Sequence, residues 1–240
     1  MPQPKTCFVT VEGLSIKVIF SKRKTATIEV RHGEALARVP LRTPAAWLTR
    51  FLTQRAGWVK EHLAQQQVLL ATHTINPWEA RRLPYLGHNL SLQIVAGARA
   101  SSATLTDDHL VISLGRRSTK VPEQLTNELT KLWLKEQAND YLRERLDYWS
   151  AVMKLQPSEL KVANFKSSWG QCNSRGRIAL NWHLMMAPPE VIDYVVIHEL
   201  AHLEEMNHSA RFWALVHRHC HHVDPSRAFL RERGVWLQWR

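Results

Sequence analysis

The sequence predicts an α+β protein with a strand-rich first half and a helix-rich second half. Three observations carry that reading. Short alternating apolar runs recur up to about residue 115, a long amphipathic segment covers 120–152, and an apolar helical stretch leads into HELAHLEEMNH at 198–208. At 240 residues the chain is long enough for one large domain or two small ones. A composition of 45% hydrophobic and 22% charged residues excludes a disordered chain.

From residue 7 to 39 the runs FVTV, IKVIF, TATIEV and LARV alternate with period two, punctuated by Gly13 and Gly33, and predict a small β meander. Residues 44–70 place Trp47, Leu48, Phe51, Leu52, Trp58, Val59 and Leu63 at helical spacing, with Pro44 near the start. Strands resume in LPYLGHNLSLQIV, ATLTD and HLVISL. The 120–152 helix carries Leu125, Leu129, Leu132, Ala138, Leu142, Leu146 and Trp149 as one stripe. The stretch LKVANFKSSWGQCNSRGRIALNW reads as two strands around the turn NSRG. Pro188-Pro189-Glu190 then opens a helix, with Glu190 and Asp193 near its positive end. Two last helices are expected over 210–218 and 226–233. No internal repeat is visible.

Charge places the domain boundary near residue 120, giving domains over 1–119 and 120–240. Residues 1–120 carry 17 Lys and Arg against 7 Asp and Glu, whereas residues 121–240 carry 15 against 14. A basic module beside a neutral one points to a polyanion partner, nucleic acid first, or simply to solubility. Cys7, Cys172 and Cys220 lie far apart without a CxxC pair, so a reducing compartment, the cytoplasm, is expected. MPQPKTCFVTVEG lacks a signal-peptide core, and no apolar run is long enough to span a bilayer.

On a helix, residues four apart share a face, so His198 and His202 can direct their imidazoles at one ion. Glu199, rotated by roughly 100°, stands beside that ion rather than on it. This suits a base for a metal-activated water, the chemistry behind HExxH spacing. A catalytic zinc takes three protein ligands and leaves one position for water. His208 is the candidate third ligand, six residues after His202, and Asn207 can take the left-handed conformation that turns the chain back. The interval matches the metzincin pattern HExxHxxGxxH, but Glu205 stands at the glycine, which argues against a metzincin turn. Glu204 or Glu205 competes as a further ligand. The tract His217, His219, His221 and His222 around Cys220 reads as a solvated helix end with loose metal affinity, and Cys172 as a small buried side chain.

The run SSWGQCNSRGRIALNWHL with APPEVIDYVVIHELAHLEEMNHSARFWALV, over 167–216, resembles the YgjP-like metallopeptidases, as do SKRKTATIEV, GWVKEHL and LPYLGHNLSLQI. That family is similar to SprT-like and Spartan-type zinc proteases, which act on proteins crosslinked to DNA. The resemblance implies a minimal zincin-like catalytic domain: an HExxH active-site helix, a long supporting helix and a small sheet. It implies Zn²⁺ on His198, His202 and His208, Glu199 as general base, and Phe212 and Trp213 packed behind the site. It also implies a sheet edge that aligns an extended peptide, here expected over 177–182. Oxyanion or substrate contacts are candidates at Asn173, Arg175, Arg177 and Asn181, with Arg177 and Asn181 taken as substrate-binding.

The expected activity is hydrolysis of peptide or protein substrates, including nucleic-acid-associated proteins held by the basic domain. Two alternatives stay open. Some members of the family are associated with hydrolysis of nucleoside triphosphates such as UTP, releasing pyrophosphate. A nucleic-acid-binding protein with a structural, fully closed zinc site is the other.

Overall fold

In the computed structural model, residues 6–31, 33–73, 75–107, 109–165 and 168–233 are described. Residues 1–5, where the segment without a signal-peptide core begins, and Ser167 of the quoted core motif lie outside them.

The chain divides into two compact units, Met1–Thr74 and Ile75–Arg240. The first holds β1 (Thr6–Val11), β2 (Leu14–Ser21), β3 (Thr27–Arg31), β4 (Glu34–Pro40) and α1 (Ala45–His73). Its sheet runs in the order β1-β2-β4-β3, with β2 parallel to β4 and the outer pairs antiparallel. The expected meander is therefore replaced by two hairpins joined in parallel. Val11 pairs with Leu14 across Glu12 and Gly13, both at positive φ, as a two-residue hairpin turn requires. Ile16, Val18, Ala37 and Val39 pack with Leu48, Leu52 and Val59 of α1 into this unit's core.

The second unit begins with α2 (Pro77–Ala80), then β5 (Arg82–Tyr85), β6 (His88–Ala98), β7 (Ser102–Leu105), β8 (His109–Gly115) and α3 (Pro122–Met153). Its first sheet, β5-β6-β8-β7, has the same topology as the sheet of the first unit: hairpin, parallel join, hairpin. The β5–β6 turn, Leu86-Gly87, again has both residues at positive φ. A four-strand unit followed by a long helix thus occurs twice, although no sequence repeat announces it. Leu83, Leu110 and Ile112 share one core with Leu134 and Leu142 of α3 and with the elements that follow. The division consequently falls at 74/75 and not near 120. The charge shift near 120 is a surface property, whereas compact units follow shared apolar burial.

After α3 come β9 (Glu159–Ala163), β10 (Gly170–Cys172) and β11 (Arg177–Asn181), a 3₁₀ turn over Trp182–Met186, α4 (Pro189–Ala201), α5 (Ala210–His219) and α6 (Val223–Arg233). The three strands run in the order β10-β11-β9, with β11 antiparallel to β10 and parallel to β9. On α3 the buried phase passes through Trp133 and Leu134, leaving Leu132 of the expected stripe 56% exposed. Helix α4 is apolar almost all round: Val191, Ile192, Tyr194, Val195, Val196 and Ile197 are buried, as befits a central helix. Asp193 accepts two hydrogen bonds from Arg145 of α3, at 2.6 and 2.8 Å.

The 3₁₀ turn is tied to the loop before β10 by Asn181. Its Nδ2 donates to the carbonyls of Phe165 and Ser168, both at 3.0 Å, and its Oδ1 accepts from the backbone N–H and Nδ1 of His183. Burial pushes His183 down to about 4, with Lys131 and Lys135 adding to the effect. The unfolded chain therefore binds the extra proton between pH 6.5 and about 4, and the folded state loses stability as pH falls through that window. Urea unfolding of wild type and His183→Gln across that range should give curves that converge as pH drops. Curves that stay parallel would show that His183 carries no such linkage.

Candidate metal centre

His198 and Glu199 lie in the last turn of α4, and His202 caps its C-terminal end. The chain then turns through Leu203, Glu204 and Glu205, whose N–H groups donate back to the carbonyls of Leu200 and Ala201. Neither Glu205 nor Asn207 has a positive φ. The expected left-handed turn at Asn207 is therefore absent, and the same backbone explains why residue 205 need not be glycine. His208 precedes Ser209, whose hydroxyl accepts from the N–H of Phe212 and so caps α5.

This path brings His198, His202 and His208 together, with one ligand atom from each inside a 4.8 Å cluster. Nε2 of His198 lies 3.1 Å from Nε2 of His208. Two nitrogens bound to one tetrahedral zinc at ~2.0–2.1 Å stand about 3.3 Å apart, so the spacing fits such an ion. Nδ1 of His202 donates to the carbonyl of Glu205 at 3.1 Å, which fixes the tautomer and leaves Nε2 as the atom able to bind a metal. The Phe212 ring centroid lies 4.9, 4.5 and 4.8 Å from those of His198, His202 and His208. Trp213 stacks on His208 at 5.8 Å, and the Arg227 guanidinium covers Trp213 at 4.9 Å.

Burial pushes His198 down to about 3, helped by His202, His208 and Arg227. It also lowers His202, against the opposing hydrogen bond to Glu205. These two imidazoles are neutral at neutral pH, which is the form that ligates a metal. Burial moves Glu199 the other way, up to about 7, where a carboxyl group both takes and releases a proton near neutrality. The donor set therefore suits a divalent ion of zinc type, with Glu199 beside the cluster and outside it.

The other candidates separate from this cluster. The Glu205 carboxylate pairs with Arg211 at 3.6 Å, and neither Glu204 nor Glu205 joins the converging ligand atoms. The tract around Cys220 likewise forms no such group among the described residues. Arg177 pairs with Glu159 at 3.0 Å on an exposed surface. Asn181 spends its whole amide on the loop and turn already described. Asn173 builds the NSRG turn, its Oδ1 accepting from the N–H groups of Arg175 and Arg177. Cys172 is half-buried, and burial together with the Glu199 charge raises its thiol, which keeps it protonated. Strand β11 is the central strand of its sheet, so the edge expected over 177–182 is not there; the outer strands are β10 and β9, and of these β10 lies against Glu199. Sequence patterning missed β10 as the edge and missed Arg227 behind Trp213, because both depend on pairings between distant segments.

A family model described as the YgjP-like metallopeptidase domain matches residues 24–233. No curated protein matches the chain. Among solved structures, the crystal structure of the metallopeptidase zymogen of Pyrococcus abyssi abylysin matches at 22% identity. That match covers 38% of this chain and 93% of the other, with a TM-score of 0.33.

Proposed function

The chain belongs to the YgjP-like metallopeptidase family, and from that premise we propose that it is a zinc-dependent peptidase, with His198, His202 and His208 holding the metal and Glu199 serving as general base. As a member of that family it is a hydrolase that takes peptide or protein substrates. The observation that carries the site assignment is the convergence of three histidines beside a buried carboxyl group raised to about 7.

When bound, zinc supplies Lewis-acid polarisation of the scissile carbonyl and a lowered pKa for water. The chain's own residues do the rest. Glu199 accepts the proton from the attacking water and passes it to the leaving amine, which its raised pKa favours in both directions. Phe212 and Trp213 hold the imidazoles in place. The open edge of β10 aligns an extended peptide by backbone hydrogen bonds. Three free cysteines support a reducing, cytoplasmic setting, and no described helix is long and apolar enough to cross a membrane.

Glu199→Gln should keep its zinc and lose at least about 100-fold in peptide hydrolysis, read by metal analysis and cleavage of a fluorogenic peptide. Wild-type hydrolysis of UTP without any peptide cleavage would instead favour the nucleotide alternative.

The basic first unit is proposed to hold nucleic acid and so to favour nucleic-acid-associated protein substrates. Residues 1–74 carry 11 Lys and Arg against 4 Asp and Glu. One flank of α1 interleaves aromatic and basic groups: Trp47 stacks on Phe51 at 5.1 Å, Arg55 lies over Phe51, and the Trp58 ring lies tilted against His62 at 4.1 Å. Trp47 and Trp58 are each 40% exposed, which leaves ring area for bases. A labelled single-stranded oligonucleotide should bind with an affinity that falls steeply with salt and weakens in Arg55→Ala and Trp58→Ala. Binding untouched by salt or by either substitution would remove this part of the reading.

A further inference from the structure

Strand β10 is the outer strand of its sheet, and its pairing with β11 fixes which groups face outward. The N–H of Asn181 donates to the carbonyl of Trp169 at 2.8 Å, and that of Asn173 donates to the carbonyl of Arg177 at 3.1 Å. In an antiparallel pair the bonding residues alternate, so residues 169, 171 and 173 face β11. The N–H and C=O of Gly170 and Cys172 therefore turn to the open edge. By the period of two, positions 170 and 172 also share one face of the strand.

On that face stands the buried side chain of Glu199. A Cβ at residue 170 would lie 2.6 Å from both Cγ and Oε1 of Glu199, and 2.8 Å from Cδ. Carbon atoms in ordinary contact stand about 3.5–4.0 Å apart. Backbone conformation does not explain the glycine, because Gly170 is not among the residues at positive φ. What the position requires is space. The three nearest atoms belong to one flexible side chain, so a Cβ would displace the carboxylate before it displaced the backbone.

We propose that Gly170 is a positioning residue for Glu199: the side-chain slot it leaves empty on the edge strand is where the carboxylate sits. The base is thereby held level with the outward backbone groups of the same residue, so a peptide paired along β10 passes directly beside it. This inference rests on Glu199 being the base.

The test is a double-mutant cycle on the zinc-loaded full chain, using a fluorogenic peptide that wild type cleaves. Gly170→Ala should lower kcat by about 100-fold, the effect of a base misplaced by about an ångström, with KM and zinc content near wild type. In the Glu199→Ala background, which lacks the Cγ, Cδ and Oε1 atoms that the new Cβ would meet, Gly170→Ala should change the residual kcat by less than about threefold. An unchanged kcat in Gly170→Ala, or an equal loss in both backgrounds, overturns the proposal. If Gly170→Ala alone fails to fold, the Glu199→Ala pair decides: a double variant that folds and matches Glu199→Ala supports the contact, and one that also fails to fold overturns it. Full activity in Glu199→Gln would defeat the assignment of the base itself, independently of what Gly170 does.

Discussion

The burial of α4 is the constraint on which the site depends. Its apolar residues are enclosed on nearly every side, so the helix cannot rotate or slide without exposing core. His198 and Glu199 are therefore held at fixed azimuths, and both are desolvated. Desolvation alone accounts for most of the site's electrostatics, because it favours the neutral imidazole and the protonated carboxyl at once. One physical cause thus shifts two proposed ligands and the proposed base in opposite directions.

The third histidine needs a different device, since it comes from outside the helix. Ser209 caps α5 directly after His208, and Phe212 and Trp213 on that helix wall the cluster. The turn between the helices is built from backbone hydrogen bonds to Leu200 and Ala201, and one of its carbonyls, that of Glu205, orients His202. The segment 203–209 consequently delivers one imidazole and positions another. The small sheet contributes too, where Asn181 locks the loop that leads into β10 and Gly170 leaves room for Glu199.

What the sequence made legible was local. The spacing of His198, Glu199 and His202 follows from helix geometry, Pro189 marks where α4 starts, and His208 stood out by its interval after His202, so the cluster could be read from residue types and spacing. The strand-rich first half and the long helix were readable for the same reason. Long-range order was not. The parallel join of β2 with β4, and of β6 with β8, leaves no mark on period-two alternation, so two hairpin pairs read as a meander. The position of β10 at the edge, with β11 in the middle, depends on the parallel pairing of β9 with β11 across a loop and a turn. The boundary at 74/75 was hidden because net charge changes elsewhere, and charge does not report which strands share a core. Leu132 shows the limit on α3, where many apolar residues allow more than one phase of the stripe.

The central claim is an open three-histidine metal site. X-ray absorption spectroscopy on the zinc-loaded chain tests it most directly. The account predicts one zinc per chain with three imidazole nitrogens at about 2.0–2.1 Å and an exchangeable oxygen ligand, and loss of one imidazole in His208→Ala. A fourth protein ligand such as a cysteine sulfur, or an unchanged shell in His208→Ala, would contradict it.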